Sequence, residues 1–172
     1  MDGALLQLLR HKTWSTLNLI EHCGGLETAH LDATMPGTYG TIPATLRHLV
    51  SSDEHYLAQL TGTGVPEPLP ERLPQRSDLL NLLAERFRRS APRWERLAEN
   101  ADVSTREITA PDGWRFPGAV LLAQAIHHAD DHRTQILSIL GARGVEVPRL
   151  SVWGYAASHG LLREPPATGA ST

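Results

Sequence analysis

Residues 125–144 read AIHHADDHRTQILSILGARG, and the fold of the chain turns on how this stretch is understood. With Val120 and Leu121 before it, the apolar positions Ile126, Ile136, Leu137, Ile139 and Leu140 predict a helix from about Pro117 to Gly141. Gly141 and Gly144 are natural C-terminal stops for it. His128 and His132 stand four residues apart in this helix. At 1.5 Å rise per residue their rings lie about 6 Å apart along one face, close enough for two nitrogens to share one ion at ~2.0–2.1 Å each. The same spacing also suits ordinary surface or core histidines. His127 and Asp131 form a competing i,i+4 hydrogen-bonded pair on an adjacent face.

Upstream, three more segments carry a helical period. Leu5, Leu8, Leu9, Trp14, Leu17 and Ile20 mark the first, from about Ala4 to Glu27, with Gly24 and Gly25 weakening its end. The second opens at Thr41, a plausible N-cap, or at Pro43, whose missing N–H costs nothing in a first turn. It continues through Leu46, Leu49, Val50, Leu57 and Leu60 to Thr61–Gly64. The third opens at Ser77 as N-cap and carries Leu79, Leu82, Leu83, Phe87, Trp94 and Leu97, with a kink or break expected near Ala91 because Pro92 follows. Residues 65–76, VPEPLPERLPQR, hold four prolines and read as an ordered or semi-extended connector. Thr105–Thr109 and Trp114–Phe116 around Ala110-Pro111-Asp112-Gly113 suggest a small hairpin or extended loop. Residues 151–162 predict a short fifth helix, and residues 164–172 a flexible tail beyond one domain spanning 1–163.

The fold class expected is therefore all-α, a four-helix bundle. The connection of about 12 residues between the first two helices permits a crossover, and the one between the last two is longer still, so a simple up-down-up-down order is not guaranteed. At 172 residues, such a domain buries enough surface to need no disulfide. Cys23 is the only cysteine and fits a reducing, cytoplasmic setting; it reads as a small buried hydrophobe more readily than as a reactive thiol. The net charge of −3 and the mixed charge pattern argue against a nucleic-acid or membrane partner. Of 16 basic residues only Lys12 is lysine, a bias that GC-rich coding produces.

Nine histidines are many for this length. His48 sits mid-helix among Leu46, Leu49 and Val50, so its ring can point to the core and supply a third ligand beside His128 and His132. His55, seven residues on, lies near the same stripe and reads as a supporting group, a substrate contact or a buried ring. Ser52, Asp53, Gln124, Asp131 and Gln135 each lie within one turn of a candidate ligand; Ser52 and Gln124 are expected to line the open site. Arg133 offers either a carboxylate-binding fork or an inter-helix salt bridge. His11, His22, His30 and His159 are expected in solvent.

These surroundings are recognisable as well. GTIPATLRHLVSSDEHYLAQLTG at 40–62 and AIHHADDHRTQILSILGARG at 125–144 resemble the DinB/YfiT-like superfamily, which includes mycothiol-dependent maleylpyruvate isomerases and bacillithiol S-transferases. The resemblance implies an up-down-down-up four-helix bundle and one divalent ion on His48, His128 and His132. Its usual His-Arg-Gly-Gln run is here His132-Arg133-Thr134-Gln135, with Thr134 in place of glycine. Zinc and nickel both suit nitrogen donors. The function implied is thiol S-transfer with mycothiol or a similar low-molecular-weight thiol on a small-molecule substrate. The alternatives are metal-dependent hydrolysis and a non-catalytic, metal-stabilised stress-response protein. A homodimer through the first and fourth segments is also expected.

Overall fold

A computed structural model of the chain describes residues 3–64, 66–71, 73–100 and 102–163. The flexible tail expected at 164–172 lies outside the described residues. Four long helices carry the structure: α1 (Ala4–Gly24), α3 (Ile42–Thr61), α4 (Arg76–Glu99) and α6 (Gly118–Ala142). Between them lie the short helices α2 (Thr28–Leu31) and α5 (Asp102–Thr105) and an antiparallel pair, β1 (Glu107–Thr109) and β2 (Arg115–Pro117). Helix α7 (Val152–Ser158) follows.

Helices α1 and α3 each pack against both α4 and α6, which places the four in the order α1–α4–α3–α6 around the bundle. Two buried clusters give the directions. At one end Leu9 of α1 meets Leu57 and Leu60 of α3, Trp94 and Leu97 of α4, and Leu121 and Leu122 of α6. At the other, Leu19 and Cys23 meet Leu46, Leu83, Phe87, Ile136 and Leu140. So α1 and α6 run one way and α3 and α4 the other: the order is up-down-down-up. Adjacent parallel α3 and α4 require a connection that returns along the whole bundle. That crossover is the proline-rich connector, not the loop after α1. Extended at ~3.1 Å per residue, its 14 positions between Thr61 and Arg76 exceed the ~30 Å length of α3. Arg86 holds it down by donating to the Glu67 carbonyl at 2.6 Å while its guanidinium also pairs with Glu54.

Several local expectations are corrected. Helix α4 starts at Arg76, one residue before Ser77, because the Gln75 N–H donates to the Asp78 carboxylate at 3.1 Å and makes Gln75 the cap. It runs unbroken through Pro92. Pro92 and Arg88 both face solvent, so the carbonyl that loses its partner is not trapped in the core. The hairpin is real: Gly113, at φ 93°, lets its N–H reach the Ala110 carbonyl at 2.9 Å, and the Ala110 N–H donates to the Trp114 carbonyl. At the start of α6, Gly118 is fixed by space, since a Cβ there would lie 2.0 Å from the Val103 carbonyl oxygen.

The core side of α1 is rotated from the simple apolar stripe. Leu8 is exposed, whereas Lys12, Ser15 and Thr16 are fully buried. The only lysine in the chain thus sits at the bundle centre, paired with Asp53 of α3. Trp94 donates its indole N–H to the same carboxylate at 2.8 Å, and the Lys12 ammonium lies 3.7 Å from the Trp94 ring centroid. Burial pushes the Lys12 amine below its ordinary pKa, with Asp53 opposing that shift. Breaking such a pair from one side strands a charge in the core. Asp53→Ala should therefore cost about 3–5 kcal/mol in urea denaturation, and Lys12→Met combined with Asp53→Leu should cost less than Asp53→Ala alone. Equal or additive losses would show that the pair is not coupled.

Candidate metal centre

Helices α3 and α6 pack antiparallel, with Ala125 and Ala129 buried on α6. Small residues there allow close approach, and at this seam the histidines from the two sequence stretches meet. His48 Nε2 lies 3.0 Å from His128 Nε2, which lies 3.2 Å from His132 Nε2. The His48 ring centroid is 4.9 Å from each of the other two. Nitrogens bound at ~2.1 Å to one tetrahedral or octahedral ion stand ~3.0–3.4 Å apart, so the trio matches the span of a single ion. Its members lie together as a group that could hold one.

The tautomer of His132 follows from its neighbours. Gln135 accepts the Tyr39 backbone N–H at 3.0 Å, which identifies the contacting atom of its amide as oxygen. The same oxygen lies 3.2 Å from His132 Nδ1, so that nitrogen must carry the proton and donate. The neutral ring then presents a bare Nε2 to the other two histidines. A hydrogen bond on the far nitrogen is the usual support of a metal-binding imidazole. Tyr39 also stacks on His48, centroids 4.2 Å apart and planes 13° apart, and Tyr56 meets His128 edge-on at 5.6 Å.

Burial first, then the neighbouring His132 and His48, lower the pKa of His128 to about 4. His48 is lowered too, by burial first and His132 second. Both rings are thus neutral near pH 7, with lone pairs available to a cation.

The other residues flagged in the sequence divide. Gln135 supports His132 as described. Asp53 turns inward to Lys12. His55 is exposed, not buried; it borders a cleft of about 670 Å³ beside His48 and donates from Nδ1 to the Ser51 carbonyl at 2.7 Å. Ser51 borders that cleft. Ser52 is half-buried and Gln124 exposed, neither with a side-chain hydrogen bond among the described residues. Asp131 is exposed and pairs with His127 at 3.3 Å. Arg133 turns away to α1, donating to Thr16 at 3.1 Å and to Asp130 of its own helix at 3.1 Å. His11 is buried rather than in solvent, with Nε2 2.7 Å from the Leu150 carbonyl. Cys23 is fully buried, and its thiol is pushed up to about 12 by desolvation, so it is no nucleophile. Tyr39 and Tyr56 escaped the sequence reading. Tyr56 could have been found eight residues after His48, two turns along one face, but Tyr39 lies in a loop with no periodic signal.

A family model described as the DinB family matches residues 1–165. Among solved structures, a DinB-like protein from Bacillus cereus superposes with a TM-score of 0.64 at 19% identity, over 84% of this chain and 94% of that one. No curated protein matches the chain.

A histidine with a folded pKa near 4 and an unfolded value of 6.5 takes up its proton only on unfolding between those pH values. The stability it contributes is present above 6.5 and is lost as pH falls toward 4. Thermal melts of metal-free protein should show a smaller Tm loss over this window for His128→Asn than for wild type. Identical slopes would contradict a buried, neutral His128.

Proposed function

This chain belongs to the DinB family, and from that premise we propose that it is a metal-dependent enzyme of the thiol S-transferase type. One divalent ion, zinc or nickel, would be held by His48, His128 and His132. The observation that supports this reading is the convergence of three Nε2 atoms from two helices, with one of the three rings, His48, bordering a cleft. Three neutral imidazoles leave the ion's charge uncompensated and a coordination position open, the pattern of a catalytic rather than a structural centre. Bound there, the ion would supply a Lewis acid that favours the thiolate form of mycothiol or a similar low-molecular-weight thiol.

The protein's own residues supply the rest. Gln135 holds the His132 proton on Nδ1. Because His55 donates from Nδ1, its Nε2 is the basic nitrogen, and the ring borders the cleft, where it can accept a proton from a thiol. Tyr39 fixes the plane of His48 and covers one of its faces.

Two measurements test the proposal. Elemental mass spectrometry of tag-free protein should find about one ion per chain in wild type and a loss of at least tenfold in His128→Ala; equal metal in both would remove the site. Conjugation of monochlorobimane, assayed with mycothiol, bacillithiol, glutathione and cysteine, should show metal-dependent turnover with at least one thiol. Stoichiometric metal without turnover would instead support hydrolysis or a stabilising role.

A further inference from the structure

The cleft beside His48 has an asymmetry of charge. Its walls are Tyr39, Ala44 and Arg47 with His48, Ser51 and His55 on one side, and Pro66, Pro68 and Leu69 of the connector on the other. Among the described residues, Arg47 is the only permanently charged group that lines the cleft, and no carboxylate lines it.

Two of the acids nearby are engaged elsewhere. Glu54 pairs with Arg86, and Asp32 with Arg76. Glu71 borders Arg47 from a neighbouring cavity without forming an ion pair with it. Among the described residues, the Arg47 side chain makes one hydrogen bond, a long 3.5 Å contact to the Leu69 carbonyl. A guanidinium carries five N–H donors in a planar fork, so most of this group's capacity is unused. Arg10, Arg76, Arg86, Arg115 and Arg133 each have an acidic partner, whereas Arg47, like the exposed Arg88 and Arg96, has none among the described residues.

The remaining walls are flat and apolar. Tyr39 is 53% exposed although one face lies on His48, so its other face is open. Pro66, Pro68 and Leu69 oppose it across a space of about 670 Å³, enough for a small molecule.

We propose that this cleft binds a small, flat organic carboxylate, with the carboxylate on the Arg47 fork and the apolar body between Tyr39 and the proline connector. This assigns a substrate class to the cleft and rests on reading it as the substrate side of the histidine centre. Arg47 would act as a specificity residue: it rejects the uncharged analogue because the amide cannot pair with the guanidinium.

The test uses benzoate and its neutral isostere benzamide as probes, titrated by calorimetry and by saturation-transfer NMR into zinc-loaded wild type, Arg47→Gln, Arg47→Lys and His128→Ala. The expected result is benzoate binding at least ~10-fold tighter than benzamide. Arg47→Gln should remove that preference while leaving metal content and benzamide binding unchanged, and Arg47→Lys should retain part of it. Benzoate binding should survive in His128→Ala. Equal affinity for the two probes, no binding of either, or an undiminished preference in Arg47→Gln would overturn the proposal. Benzoate binding lost in His128→Ala would place the carboxylate at the histidine centre and would also overturn it. Absence of metal from wild type with the Arg47-dependent preference intact would sink the metal reading and leave this one standing.

Discussion

Three imidazole nitrogens face one another across the α3–α6 seam, and the other parts of the site are arranged around that fact. Each neutral ring has one proton and one lone pair. With the His132 proton committed to Gln135, the trio cannot satisfy all its lone pairs internally. Protonation would relieve this in water, but burial and mutual repulsion oppose it for His48 and His128. A cation would resolve the conflict, because it would accept all three lone pairs at the spacing the backbone already imposes.

The convergence depends on the rotation of α3, and the buried Lys12–Asp53 pair fixes that rotation. Asp53 follows His48 by five residues, which turns it by about 140° around the helix. With Asp53 tied to Lys12 and Trp94 in the bundle interior, His48 is directed to α6 instead. A lysine with no exposure is costly to bury, and its partners on two other helices return that cost as a defined register. The connector completes the arrangement. Held by Arg86, it returns along the bundle beside α3 and forms the outer wall of the cleft beside His48. The chain reversal that makes α3 and α4 parallel thus also gives the histidines a neighbouring space for a small molecule.

The four long helices were legible from apolar spacing, and the metal-ligand candidates from a four-residue histidine interval plus one mid-helix histidine. The errors share a cause. Apolar spacing could not show that Lys12, Ser15 and Thr16 face the core while Leu8 faces solvent, because a buried polar group is permitted only by a partner elsewhere in the chain. Pro92 looked like a break because sequence does not reveal which face of α4 meets water. For Arg133 the sequence left a substrate fork and an inter-helix bridge open; adjacent helical positions point about 100° apart, which turns it from the side of His132 to α1. Tyr39 and the cleft arise only when loop, connector and helix are brought together in three dimensions. Family resemblance supplied what spacing could not, the up-down-down-up order.

The account is tested most directly by X-ray absorption at the metal edge of zinc-loaded protein, with and without added thiol. It predicts three imidazole nitrogens at about 2.0–2.1 Å with one light-atom ligand completing the shell, and a sulfur at about 2.3 Å replacing that ligand when thiol is added. Fewer than three imidazoles, or a shell that thiol leaves unchanged, would contradict an open three-histidine centre built by His48, His128 and His132.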